Sequence, residues 1–161
     1  QIQRNMSAEY GLLAATAVAT SAGVPGLPFG ASPEDSADYI GAHCSEATTR
    51  TLSVDELPLA TTSHVQIDCD GFDYFGAARR AEFVFADDAL THVWILVEAE
   101  DLAPLQARFE TEFGAPDHAT EGFTAFNAHN AALRRDIPEA LYYSEAAAPL
   151  FQQWFAGSAG E

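Results

Sequence analysis

The sequence predicts an α+β domain in which helices pack on one face of an antiparallel β-sheet, and it also admits two helix-plus-strands units in tandem. Residues 81–98 have the pattern of two β-strands joined at Asp87-Asp88. Helical stripes precede and follow runs of strand-like sequence, and short turns connect the strands instead of helical crossovers. With 161 residues, 48% of them hydrophobic, the chain is expected to form one core.

The first helix is predicted to begin at Ser32, which can cap it and is followed by Pro33 and two acids. Ala37, Ile40 and Cys44 then share one face, so Cys44 is expected to point inward. Residues 45–62 show no clear period and are interpreted as a long connection with a short edge strand around 49–54.

Residues 64–70 alternate in polarity and predict a strand whose apolar face carries Val65, Ile67 and Cys69. Turns are expected at Asp70-Gly71 and at Gly76, before the hairpin of residues 81–98. The second strand of that hairpin is apolar on both faces. It is therefore either a central strand covered on both sides or one with a bulge near Thr91-His92.

Asp101 is expected to cap a second helix, which Gly114 and Pro116 end. Residues 122–127 and 131–135 predict another hairpin, and residues 141–143 a further strand. Ser144 then begins a last helix that covers the sheet and stops at Gly157. Residues 32–97 and 101–143 thus both start with a capped helix followed by strands.

The charge balance limits the classes of partner. The formal net charge is -17 and the chain contains no lysine. Such an acidic surface repels phosphate backbones and anionic lipids, so no nucleic-acid binding and no electrostatic membrane docking are expected. A partner, if there is one, should be a neutral or basic protein. The same composition is also typical of an acidic source genome or a salty habitat.

Residues 12–22 resemble the apolar region of a secretory signal peptide, with small residues suited to cleavage after Ala19 or Ala22. The alternative is an ordinary N-terminal helix or a tail. We assign residues 1–26 to a leader and residues 27–157 to a single domain, which places the protein in the periplasm or outside the cell. The apolar run is too short to span a bilayer, and no lipid-modifiable cysteine follows it, so no membrane anchoring is expected.

Cys44 and Cys69 are both predicted to face the core, one on a helix and one on the adjoining strand. A disulfide between them would close a loop that contributes about 3.5 kcal/mol in the chain-entropy model. The alternative is a pair of separate buried thiols.

Asp68, Asp70 and Asp73 surround Gly71 and are weak candidates for calcium ligands. Their spacing does not match an EF-hand loop, and a solvated strand edge has the same pattern. We therefore assign no metal site and no cofactor. No catalytic residues are assigned either, because the sequence has no nucleophile or zinc-protease motif.

The candidate binding residues are three aromatic residues near the Gly76 turn and two adjacent arginines: Phe72, Tyr74, Phe75, Arg134 and Arg135. Together with Tyr142, the aromatic residues suit a groove between the sheet and a helix, or an exposed contact patch. Tyr143 and Trp154 are expected in the core. The arginines are expected either to pair with Glu82, Asp136 or Glu139, or to form an anion pocket.

Several of these features resemble small exported bacterial domains of the outer-membrane assembly lipoprotein BamE and β-lactamase-inhibitor-protein type. They are the capped helix after a glycine, the turn Phe83-x-Phe85-x-Asp87-Asp88-x-Leu90, and the segment 112–116 with the sequence EFGAP. The resemblance covers residues 30–144. It implies a helix-and-sheet layer used for protein contacts, with no catalytic residues to carry over.

Three functions remain open from the sequence. The first is an exported non-enzymatic domain that binds a protein through its open sheet face or through residues 70–76. The second is an enzyme or small-ligand binder with a pocket between the sheet and the C-terminal helix, where Arg134, Arg135 and a histidine converge. The third is an envelope-maintenance protein without a dedicated site. The oligomeric state is left open.

Overall fold

The computed structural model describes residues 24–159 and confirms the α+β class: one antiparallel sheet with three helices. The helices are α1 (Pro33–His43), α2 (Leu102–Phe113) and α3 (Ala148–Ala159). The strands are β1 (Glu46–Leu52), β2 (His64–Tyr74), β3 (Ala77–Ala86), β4 (Ala89–Leu96), β5 (His118–Ala119), β6 (Phe123–Phe126), β7 (Ala131–Arg134) and β8 (Glu139–Tyr143).

The sheet is built from two similar halves. Its strand order is β1-β2-β3-β4-β8-β7-β6-β5, so each half is a helix followed by a four-stranded antiparallel meander. The two predicted helix-plus-strands units are therefore present. They join where β4 pairs with β8, with Val93 beside Tyr142 and Trp94 beside Leu141.

The helices occupy both faces of the sheet. Leu105 and Phe109 of α2 and Ile40 of α1 pack in one core cluster with β8 residue Tyr142. Phe151 of α3 packs in a second cluster, with Leu141 and Tyr143. The expectation of one helical face thus holds for α1 and α2, whereas α3 lies on the opposite face. The reason is that consecutive residues of β8 are apolar, and both of its faces must be covered.

The turn expected at Asp70-Gly71 is a bulge inside β2. The register between β2 and β3 shifts between Cys69 and Phe72, and β2 continues to Tyr74. Gly71 has a φ of 79°, and a Cβ there would lie 2.5 Å from the Ser45 hydroxyl, so the site requires glycine. The predicted bulge near Thr91-His92 is present, because Val84 pairs with His92 and the next residue of β3 pairs with Leu90.

The first described residues already belong to the core. Val24 and Leu27 are buried in the same core cluster as α1, which is three residues earlier than the predicted domain start. The helix α3 passes Gly157 and ends at Ala159. The signal-like residues 12–22 lie outside the described residues. Within residues 24–159, no helix combines the length and hydropathy needed to cross a membrane.

Asp87 ties the long connection before β2 to the turn of the central hairpin. Its carboxylate accepts backbone N–H bonds from Thr61, Thr62 and Ser63 at 2.6 to 3.2 Å, and hydroxyl bonds from the two threonines at 2.9 Å. The backbone N–H bonds are the main reason that the pKa of Asp87 lies well below its usual range. Asp87 and Asp88 both have positive φ, as a tight hairpin turn requires.

The predicted disulfide is present: the sulfurs of Cys44 and Cys69 lie 1.99 Å apart and their Cα atoms 5.4 Å apart. Cys44 directly follows α1, and the side chain of Cys69 on β2 is fully buried. The bond therefore fixes the end of α1 against the sheet.

We expect reduction of this disulfide to lower the free energy of unfolding by about 3.5 kcal/mol, because the reduced unfolded chain gains loop entropy. Denaturant unfolding with and without dithiothreitol measures the difference. The double variant Cys44→Ala/Cys69→Ala is the control and should not respond to the reductant. An equal response in both proteins would contradict the prediction.

Asp87→Asn should destabilise the protein at pH 7, because an amide nitrogen cannot accept the N–H and O–H bonds. The pKa of Asp87 is lowered by folding, so its contribution is present above the unfolded pKa of about 3.9 and disappears as the pH falls below it. The difference in free energy of unfolding between wild type and variant, measured by denaturant unfolding, should therefore decrease from pH 7 to pH 3. Asp88→Asn, with the same charge change at the adjacent position, should show a much smaller gap.

Candidate functional site

Within residues 24–159, two groups of side chains outside the filled core combine aromatic with charged residues and could contact a ligand or partner. The first is a cavity of 490 Å³ between α1, α2 and the turn that joins β2 to β3. The second lies on the opposite face of the sheet, beside α3. We call it the tryptophan–arginine surface and define it by Trp94, Trp154 and Arg134.

The cavity has aromatic walls and a charged rim. The aromatic side chains come from α1, β2, α2 and β8, whereas the charged ones lie on α2 and near the turn. Its lining residues are Val24, Pro25, Tyr39, His43, Phe72, Asp73, Tyr74, Phe75, Leu105, Arg108, Phe109, Glu112, Phe113 and Tyr142. Such a volume and lining are typical of a small-molecule site.

Tyr74 and Tyr142 meet inside this cavity, with their hydroxyl oxygens 2.5 Å apart. Tyr74 lies on β2 and Tyr142 on β8, so the sheet itself brings them together. Burial is the main cause that raises the pKa of Tyr142 to about 12, and burial also raises the pKa of Tyr74. Both phenols are therefore neutral hydrogen-bonding groups at physiological pH.

Arg79 fixes the wall of the cavity. Its side chain is 8% exposed and donates to the carbonyls of Tyr74 and Phe75 at 2.9 and 3.1 Å, and to the Asp101 carboxylate at 2.7 Å. Asp101 in turn accepts from the backbone N–H of Glu98, just before α2. One guanidinium thus connects the β2–β3 turn to the start of α2, which keeps both walls in place.

The tryptophan–arginine surface is centred on the Arg134 guanidinium. The guanidinium carbon lies 5.6 Å from the ring centroid of Trp154 and 5.9 Å from that of Trp94, within the range of cation–π contacts. Asp136 and Glu139 hold it by ion pairs of 2.9 and 3.3 Å. Trp154 is 41% exposed, so this preorganised cluster is open to solvent.

Glu139 is the one acid of this cluster with a strongly shifted pKa. Burial raises the pKa of its carboxyl to about 7, against the opposing attraction of Arg134. Further along the same face, burial also raises the pKa of Glu82. Glu82 lies opposite Trp94 in the β3–β4 register.

A second ion-pair group continues this face toward β1. The carboxylate of Asp68 lies 2.8 Å from Arg50 and 3.1 Å from Arg80, and Arg80 also reaches Asp70 at 3.6 Å. Together with a hydrogen bond from Gln66, these contacts lower the pKa of Asp68 despite its burial. The sheet face beside α3 is therefore polar around Asp68, whereas Val84 and Ala86 on the same face are buried with Leu57 and Ala60.

The structure brings part of the predicted binding set together. Phe72, Tyr74 and Phe75 all line the cavity. Arg134 and Arg135 do not join them, since they point to opposite faces of the sheet. Arg135 donates to Thr124 and to Gln106 of α2, whereas Arg134 lies on the tryptophan–arginine surface. The ion pairs expected for Arg134 with Asp136 and Glu139 are present.

The predicted pocket between the sheet and α3 is filled by aromatic rings. Phe151 and Phe155 are 4% and 0% exposed and contact Tyr143. Arginines and a histidine therefore do not converge there on a space for a ligand. Tyr143 is in the core as expected, but Trp154 is not: it lies at the edge of α3 beside Arg134.

The three acids considered as calcium ligands do not share one site. Asp68 and Asp70 both pair with Arg80, and Asp73 lines the cavity. Among residues 24–159, no group of three or more His, Cys, Asp or Glu side chains is arranged to hold a metal ion.

Several site residues were not found from the sequence. Trp94 and Arg108 were not among the candidate binding residues, and Glu139 was named only as one of several ion-pair partners for the arginines. Tyr142 was named as a possible groove residue, but its contact with Tyr74 was not predicted. A signal was present for Tyr142, because alternation along residues 139–143 places Tyr142 and Tyr143 on opposite faces. Which other strand faces Tyr142 depends on the β4–β8 pairing, which no local pattern predicts.

No family model, curated protein or solved structure matches this chain.

The free energy of unfolding of Glu139→Gln, relative to that of wild type, should increase as the pH rises from 5 to 8. The pKa of Glu139 is about 7 in the folded protein and about 4.3 in the unfolded chain, so wild type loses stability as the pH rises through 7. The non-titrating amide avoids that loss, and after allowance for solvent screening the difference between the two proteins should change by about 1 kcal/mol.

Denaturant unfolding at pH 5 and pH 8 measures this change. Asp136→Asn, which alters the more exposed acid beside the same arginine, is the matched control and should show a smaller change in that interval. A pH-independent difference for Glu139→Gln would contradict the assignment.

Proposed function

We propose that this chain is an exported, non-enzymatic domain that binds another protein through the tryptophan–arginine surface. The observation that carries the proposal is the exposed Trp154, held beside Trp94 by the Arg134 guanidinium. Tryptophan and arginine are the residues that most often dominate binding energy at protein interfaces. Their fixed positions lower the entropy that binding would otherwise remove.

The charge of the chain supports a neutral or basic partner. Asp68, Asp70 and Asp136 accompany the tryptophan–arginine surface and the adjoining ion pairs, and the formal net charge of the chain is -17. A basic protein would be attracted at long range, whereas an acidic one would be repelled. The aromatic rings would then supply the short-range contact.

Two features support export. The Cys44–Cys69 disulfide is of a kind that persists in oxidising compartments. The signal-like pattern of residues 12–22 agrees with such a location. We therefore place the domain in the periplasm or outside the cell. The resemblance to exported protein-binding domains in residues 30–144 implies the same use of a helix-and-sheet layer.

The photo-crosslinking amino acid p-benzoylphenylalanine, which keeps an aromatic side chain at position 154, tests this proposal in the native envelope. We expect one dominant crosslinked protein, absent when the same amino acid replaces Glu110 on the exposed side of α2. The captured protein is then purified and its affinity for wild type is measured by calorimetry. Trp154→Ala should weaken that affinity about thirtyfold or more, as expected for a central interface residue.

Arg134→Ala should weaken binding to a similar degree, whereas Glu110→Ala should leave it within about twofold. Each variant is checked by circular dichroism and denaturant unfolding, so that a loss of affinity is not a loss of fold. Equal crosslinking from positions 154 and 110, or unchanged affinity in Trp154→Ala, would refute the proposal.

A further inference from the structure

The phenol pair in the cavity has one hydrogen-bond donor more than it can use. Tyr74 and Tyr142 each carry one O–H, and the contact between their oxygens uses only one of them. Within residues 24–159, neither hydroxyl has another hydrogen-bond partner. Tyr142 is only 7% exposed and Tyr74 is half-buried, so the second O–H points into the cavity region without an acceptor among the described residues. A bound molecule with an acceptor oxygen would remove this deficit.

The walls around the phenols favour a flat apolar molecule. Phe72 and Phe109 are 5% and 2% exposed and form the inner wall, and Phe75 and Phe113 form half-buried parts further out. Aromatic faces and edges of this kind attract another ring through offset or edge-to-face contacts. The cavity of 490 Å³ has room for a small aromatic ligand.

The charges determine which kind of oxygen the ligand carries. Arg108, Glu112, Asp73 and His43 all lie at the exposed rim, and the Arg108 guanidinium carbon is 5.5 Å from the Phe75 ring centroid. The phenols sit deeper, among aromatic rings. Glu112 offsets the attraction of Arg108 at the phenols, so a carboxylate placed against them would lose its hydration for little net attraction, which is costly. The desolvation cost of a carbonyl or ether oxygen in the same place would be much smaller.

We propose that this cavity binds a small aromatic molecule through a neutral acceptor oxygen, which receives the free hydroxyl hydrogen of the Tyr74–Tyr142 pair. The site lies on the opposite face of the sheet from the tryptophan–arginine surface. It therefore adds a small-molecule site to a protein-binding domain, and neither function requires the other.

Three probes of similar size test the proposal on the full chain. Acetophenone has the acceptor oxygen, isopropylbenzene has the same shape without it, and benzoate carries a charge. Titrations followed by NMR of ring-labelled tyrosines and phenylalanines report both affinity and location, because Phe72 and Phe109 line the cavity and remain in every variant. We expect acetophenone to bind about fivefold to tenfold more tightly than isopropylbenzene, as one hydrogen bond allows. Benzoate should bind more weakly than acetophenone.

The double variant Tyr74→Phe/Tyr142→Phe keeps both rings and removes both donors together, so it leaves no orphaned hydroxyl and should remain folded. Its preference for acetophenone over isopropylbenzene should fall to about one. Tyr143→Phe, which removes the hydroxyl of a buried tyrosine that bonds Gln152 on the other face, should keep the wild-type preference.

Several results would overturn the proposal: no shift of the Tyr74 and Tyr142 signals with any probe, equal affinities of wild type for acetophenone and isopropylbenzene, or an unchanged preference in the double variant. Tighter binding of benzoate would show instead that Arg108 selects an anion.

Discussion

The pairing of β4 with β8 is the constraint on which both candidate sites depend. It joins two four-stranded halves that would otherwise end in exposed edges, and it fixes the register of Val93 beside Tyr142 and Trp94 beside Leu141. Because side chains alternate along a strand, this single register sends Tyr142 into the cavity and Trp94 to the opposite face. A shift by one residue would exchange the two faces and destroy both sites.

Much of the fold could be predicted from the sequence because its signals are local. The hairpin at Asp87-Asp88 follows from two runs of β-branched and aromatic residues around a turn pair, and α2 from its apolar stripe. The disulfide followed from two local periods, since Cys44 ends a helix and Cys69 lies on the core face of a strand. In each case a few neighbouring residues carry enough information.

The candidate sites were harder to predict from the sequence because they form between residues that are distant in the chain. Tyr142 was named as a possible groove residue together with Phe72, Tyr74 and Phe75, but only the order of the sheet shows that it meets Tyr74. Arg134 and Arg135 do not form one binding site, because neighbouring residues in an extended strand point to opposite faces of the sheet. The sequence Asp70-Gly71 predicted a turn, but the strand continues through it with a bulge. Glycine is needed there because its φ is positive and Ser45 lies very close to it.

The distribution of arginine gives the tryptophan–arginine surface a different character from the rest of the molecule. Arg50, Arg80 and Arg134 all lie on the sheet face beside α3, each paired with at least one carboxylate. On a chain with a formal net charge of -17, this face is locally closer to neutral. The field of the remaining acids extends only about one Debye length, roughly 8 Å at physiological salt. In the proposed function, charge governs the approach of a partner, whereas the edge-to-face pair of Trp94 and Trp154 governs how long it stays.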